Sequence, residues 1–159
     1  MNTYLHRFLG AIAVAVATLT TLAHANAPAG RYVITASGTA GGTVYDTKTN
    51  LTWQQKTSSA SSLAAAKTYC AGAAANTLPG TGWRVPTAKE LVTLIDNSRQ
   101  SPAMDPTAFA SGYGGGPTWS SSPVTSVGYT WQVDFGLGTT GYAANGSPGV
   151  RCVLSGRLP

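Results

Sequence analysis

The sequence predicts an α+β domain of short strands and few helices. Two helical patterns sit among several strand-like runs. Two cysteines stand far apart, one at the end of the first helical pattern and one in the last strand-like run.

The chain opens with features of an export signal. "MNTYLHRFLG" carries Arg7 and no acid, Leu9 to Leu22 is free of charge, and Ala23 to Ala25 fits the small-x-small cleavage rule. The expected organisation is a signal peptide over residues 1–25, an N-terminal segment over 26–41 and one domain over 42–156. An uncut N-terminal anchor is the alternative. The apolar run is short for a membrane span, and no second one comes after it. The expected site of residence is outside the cell, in the periplasm or at the cell surface.

Removing 25 of the 159 residues leaves 134, enough for one core and too few for two. Ten basic residues less Arg7 leave nine against five acids, a net +4. That balance permits an anionic partner without requiring one. Both histidines, His6 and His24, lie in the leader. The remaining chain therefore has no Ser-His-Asp or Cys-His catalysis and no histidine metal site. Acid–base chemistry would fall to Asp46, Glu90, Asp96, Asp105 or Asp134.

"RYVITAS" (31–37) is a strand candidate. "GTVYDTKTNLTWQQ" (42–55) has the pattern of a hairpin around a polar turn, with Leu51 and Trp53 on one face. The Ser- and Ala-rich stretch 57–75 predicts a helix that points Leu63, Ala66, Tyr69 and Cys70 inward. Trp83 to Val85 is a short extended piece. Thr87 and Glu90 then spell a capping box ahead of a helix whose buried stripe is Leu91, Leu94 and Ile95.

Residues 98–117 lack periodicity and predict a long surface loop, either a binding segment or a passive connector. "TWSSSP" (118–123) is a strand. "GYTWQVDFG" (128–136) alternates strictly, with Tyr129, Trp131, Val133 and Phe135 on one face. "GVRCVL" (149–154) is the last strand. Between them, "GLGTTG" (136–141) spells G-x-G-x-x-G. A dinucleotide loop needs a helix after its glycines, but the stretch beyond Gly141 is broken by Gly146, Pro148 and Gly149. The glycines suit a hairpin turn instead. No nucleic-acid partner is expected, and no cofactor or metal.

Cys70 and Cys152 are the chain's two cysteines. In an oxidising compartment one disulfide is the expected state; a free nucleophile or a metal pair are the alternatives. Trp53, Trp83 and Trp131 are expected in the core as framework residues. Trp119 and Tyr113, in or beside the long loop, are candidates for stacking on a ligand. Arg84 and Arg151 are expected to pair with Asp96 or Asp134. Lys89 and Arg99 are candidate anion contacts if basic residues converge on one face.

The pieces "GTVYDTKTNLTWQQ", "AAAKTYC", "GWRVPTAKELVTLID", "TWSSSP", "TWQVDFGLG" and "GVRCVL" succeed one another in an order that resembles a bacterial family. It is the domain, long described as of unknown function, that also forms the C-terminal part of the collagen-like adhesin Lcl. The resemblance covers Gly42 to Leu154. It implies an α+β fold of C-type-lectin-like kind: two helices on small twisted antiparallel sheets, with the helix cysteine bonded to that of the final strand. It further implies binding of sulfated glycosaminoglycans and assembly as a trimer, although the collagen-like stalk is missing from this sequence. The E-P-N, Q-P-D and W-N-D motifs of calcium-dependent lectins do not occur here. The related sulfatase activators need a free cysteine pair, whereas these two cysteines suit a bridge.

Three functions are expected in turn. The first is a non-catalytic binding or adhesion module for an anionic glycan or a surface protein. The second is a structural subunit of a surface assembly. The third is an enzyme built on paired carboxylates.

Overall fold

Nine short strands and two short helices build two sheets in a computed structural model that describes residues 27–35, 42–73, 77–109, 115–125 and 128–159. In chain order the strands are β1 (Tyr32–Thr35), β2 (Thr43–Asp46), β3 (Leu51–Gln54), β4 (Ser58–Ser59), β5 (Pro117–Pro123), β6 (Thr130–Asp134), β7 (Thr139–Ala143), β8 (Gly149–Val150) and β9 (Val153–Ser155). The helices are α1 (Leu63–Thr68), which runs on into a π-helical turn (Tyr69–Ala73), and α2 (Ala88–Val92). The architecture is α+β, as expected. The anticipated signal peptide and Tyr113 lie outside the described residues.

The hairpin pattern of 42–55 folds as β2 and β3 around Thr47–Asn50. Asn50 closes the turn at φ 56°, a left-handed conformation that asparagine adopts more readily than most residues. Val44 and Trp53 face each other across the strands and are both fully buried. β1 and β9 flank them, giving an antiparallel sheet of order β1-β2-β3-β9. Arg31, just before β1, grips the buried Asp46 of β2 through two bonds of 3.1 and 2.8 Å and the Thr93 carbonyl at 2.7 Å. Burial alone would raise the Asp46 carboxyl. The Arg31 hydrogen bonds and the Lys48 backbone N–H outweigh it and hold the group below its ordinary value.

The second sheet has the order β4-β8-β5-β6-β7. It departs from the expected all-antiparallel arrangement at one place, where Thr118 of β5 pairs in parallel with Gly149 of β8. "GLGTTG" forms the turn from β6 into β7, with the Gly138 N–H donating to the Asp134 carbonyl at 2.8 Å. Gly138 sits at φ 71°, and a Cβ there would come within 3.2 Å of Ala103.

The expected final strand is split. Val150 belongs to one sheet and Val153 to the other, with Arg151 and Cys152 buried at the crossing. Arg151 donates through Nη1 to the Gln54 carbonyl at 2.7 Å and to the Gln55 carbonyl, tying that crossing to the end of β3.

Ser62 caps α1, its side chain accepting from the Ala65 N–H at 3.1 Å. Ala66 and Cys70 are fully buried on the inward face. Cys70 bonds to Cys152. This bridge joins the first helical segment to the junction of the two sheets.

α2 begins with the expected capping box. Thr87 Oγ1 accepts from the Glu90 N–H at 3.2 Å, and Glu90 Oε2 accepts from the Thr87 N–H at 2.7 Å. Arg84 pairs with Glu90, at 2.9 and 2.6 Å, and not with Asp96 or Asp134. The Arg84 hydrogen bonds, foremost, bring the Glu90 carboxyl down to about 2 from an ordinary 4.5. A carboxylate depressed in the folded state stabilises above its unfolded pKa and loses that contribution as pH falls. A Glu90→Gln variant should therefore melt below the parent at neutral pH. The gap should close as pH drops from 4.5 towards 2. Thermal melts across that range test this, and a gap independent of pH would contradict it.

Two apolar clusters lie in the fold. One joins Val44, Trp53, Leu91, Leu94, Met104, Phe109, Val133, Phe135 and Val153. The other joins Ala66, Cys70, Trp83, Val85, Trp119, Val150 and Cys152. The described part of the 98–117 segment is irregular, as expected. It is not merely a surface loop, because Ala103, Met104, Ala108 and Phe109 are buried.

Candidate binding surface

The alternation along β6 sets which residues share a face, and β7 determines how far that face is covered. Val133 stands opposite Thr140 and Trp131 opposite Tyr142. Val133 is fully buried in the cluster that holds Leu91 and Leu94 of the α2 segment. Two residues earlier on the same face, cover thins and Trp131 is 37% exposed. The core position expected for Trp131, alongside Trp53 and Trp83, is thus corrected. It sits at the rim, where the sheet runs past the helix that covers it.

Tyr142, on the edge strand, is 62% exposed, and Tyr129 is 42% exposed. The Tyr142 ring contacts both neighbours edge to face, at 5.7 Å from Tyr129 and 6.0 Å from Trp131. Edge-to-face contact is a favoured arrangement of aromatic rings. The three form a ledge open to solvent.

A groove of about 500 Å³ adjoins this ledge. Val92, Ile95 and Asn97 form one wall, and Gly138, Thr139 and Thr140 the other. Thr140 and Tyr142 are two apart on β7, so ledge and groove lie on one face of the hairpin. Lys89 is exposed on α2, one turn before Val92. The start of α2 is fixed beside β5, because the Ala88 N–H donates to Ser122 Oγ at 3.0 Å and the Ser121 N–H to the Pro86 carbonyl at 2.7 Å. Arg99 lies just past Asn97, its charge shared with Asp96 at 3.2 Å. Lys89 and Arg99 thus flank the wall residues Val92, Ile95 and Asn97 in sequence.

Trp119 is not available as a stacking surface. It is fully buried, and its indole N–H donates to the Ala60 carbonyl at 3.0 Å. Trp53 and Trp83 are core residues as expected, and the Trp83 indole donates to the Pro79 carbonyl at 3.0 Å. Asp134 serves the hairpin turn, Oδ1 accepting from the Gly136 N–H at 2.7 Å. Arg151 has no carboxylate partner among the described residues. Burial pushes its guanidinium down to about 9.

Other concave surfaces lie among the described residues. Val33, Thr35 and Tyr45 floor a groove of about 510 Å³ walled by Gly80, Arg157 and Leu158, with the Arg157 guanidinium 5.4 Å from the Tyr45 ring centre. Asp96 and Asp105 border a third groove with Arg31 and Tyr32. Both of its carboxylates cap turns, Asp96 bonding Ser98 and Asp105 the N–H groups of Thr107 and Ala108. Burial would raise Asp96, but the Ser98 bonds and Arg99 leave it below the ordinary carboxylate range.

These features define a small, disulfide-stapled α+β domain that exposes a cluster of aromatic side chains. The family description that matches is the Lcl C-terminal domain, over residues 42–154, and the chain belongs to that family. No curated protein and no solved structure matches the chain.

Proposed function

We propose that this is an exported, non-catalytic binding module of C-type-lectin-like fold that holds an anionic glycan along the Tyr129–Trp131–Tyr142 ledge. The carrying observation is that ledge: three solvent-exposed aromatic rings in contact, on the hairpin face that also borders a groove, with Lys89 exposed on α2 one turn before the groove residue Val92. Sugar rings present flat C–H faces that stack on aromatic walls, and a nearby ammonium complements sulfate or carboxylate groups. Contiguous exposed apolar surface of this kind commonly marks an interaction site.

A non-catalytic role is supported by the carboxylates. Asp46, Glu90 and Asp96 pair with arginines, and Asp105 and Asp134 hold turns. An acid–base pair needs one carboxyl raised and kept protonated. Asp46, Glu90 and Asp96 are all lowered. Export is supported by the leader-like residues 1–25 and by a disulfide that persists in oxidising compartments.

A salt gradient on immobilised heparin tests the glycan reading. The oxidised domain should elute later than an unrelated protein of equal charge. Trp131→Ala and Tyr142→Ala should each weaken retention, by about five- to tenfold in affinity or roughly 1 kcal/mol per ring. Their melting temperatures should stay near the parent's. Elution at the salt that charge alone dictates would refute the proposal. The assembly reading rests on a different observation: β1 is a sheet edge with Val33 and Ile34 about 40% exposed. Light scattering that gives a stable oligomer, including a trimer, broken by Val33→Lys would favour it.

A further inference from the structure

Among the described residues, the buried Arg151 side chain has no counter-charge. Nη1 is satisfied by the Gln54 and Gln55 carbonyls, and the Phe109 ring lies 4.7 Å from the guanidinium carbon. Neutral carbonyls and a ring face ease the desolvation of a cation but do not neutralise it. Nε is buried and has no partner among the described residues.

A second unpartnered group lies close by. Thr57 Oγ1 is also buried and unbonded. Thr57 and Arg151 line one small cleft, together with Thr118, Gly115, Gly116 and Phe135. About 10 Å³ of the cleft is open to the centre of a water-sized sphere, so it has room for one small guest. The cleft thus offers a positive charge, an unused N–H and an unused hydroxyl beside an apolar wall. Sulfate and sugar carboxylates are too large for it.

We infer that this cleft binds one small monovalent anion, of the size of chloride, on Arg151 Nε and Thr57 Oγ1. The guest supplies the missing counter-charge and satisfies both orphaned groups. It sits at the crossing between β8 and β9, so its binding strengthens the junction of the two sheets. A ligand bound only by the folded state raises stability by mass action, and the rise saturates as the site fills.

Thermal unfolding of the full oxidised domain tests this at fixed ionic strength, with gluconate replaced stepwise by chloride. The melting temperature should rise by about 2–8 °C with chloride and then level off. Thr57→Val should flatten that response. Crystals grown in bromide should show anomalous scattering beside Arg151 Nε, a readout that does not depend on any variant folding. Equal melting temperatures in gluconate and chloride would overturn the inference. So would a chloride response unchanged in Thr57→Val, or bromide crystals with only water in the cleft.

Discussion

Loss of the Cys70–Cys152 bridge costs the domain about 4–5 kcal/mol. The bond spans 82 residues of sequence, so it removes much of the freedom of the unfolded chain. Small domains are stable by only about 5–15 kcal/mol, so the loss is a large share of the total. It also acts at a sensitive place. Cys152 lies at the junction of the two sheets, where its N–H donates to the buried Gln54 Oε1 at 3.2 Å. Urea unfolding with and without reductant measures the effect. The midpoint should fall sharply on reduction, and a Cys70→Ala/Cys152→Ala variant should unfold at the same reduced midpoint. Equal midpoints for oxidised and reduced protein would show that the bridge is incidental.

Trp119→Ala should destabilise the fold by about 3–5 kcal/mol. The side chain is fully enclosed between β5 and the α1 side of the core, among Ala66, Val150 and the disulfide. Truncation leaves a cavity and strips the Ala60 carbonyl of its indole donor. Trp119→Phe keeps most of the volume and should cost less, about 1–3 kcal/mol for the unpaired carbonyl and the smaller ring. Neither change touches the ledge, so retention on heparin should follow the folded fraction alone. A stable Trp119→Phe with lost retention would place the binding surface on the wrong side of the sheet.

That contrast between Trp119 and Trp131 marks how far the sequence can be read. The β2–β3 hairpin, the capping box at Thr87 and Glu90, and the β6–β7 turn depend on neighbours in sequence, and each is legible there. Alternation tells which side chains of β6 share a face. It does not tell where cover ends, because that depends on the short α2, which reaches Val133 and leaves the Trp131 end of the strand partly open. β5 is harder still. Its pairing with β6 shifts register between Trp119 and Pro123, and the two faces of this central strand pair meet different clusters.

Phe109 and Met104 escape a sequence reading of the core because they arrive on irregular chain rich in proline and small residues, with no period to reveal them. Arg84 and Glu90 are six apart, which is no helical spacing. They meet because the chain turns from a bridge at Arg84 into α2. The ledge itself is only half visible. Trp131 and Tyr129 stand out in an alternating run, but Tyr142 comes after a glycine turn and gains meaning only from its place opposite Trp131.

The binding role assigned to that ledge is tested most directly by nuclear magnetic resonance of the labelled oxidised domain, titrated with a sulfated oligosaccharide. The indole of Trp131 and the backbone signals of Tyr129, Thr139, Thr140, Tyr142 and Lys89 should shift together with one dissociation constant. Shifts confined to the groove at Tyr45 and Arg157, or none at saturating sugar, would contradict it.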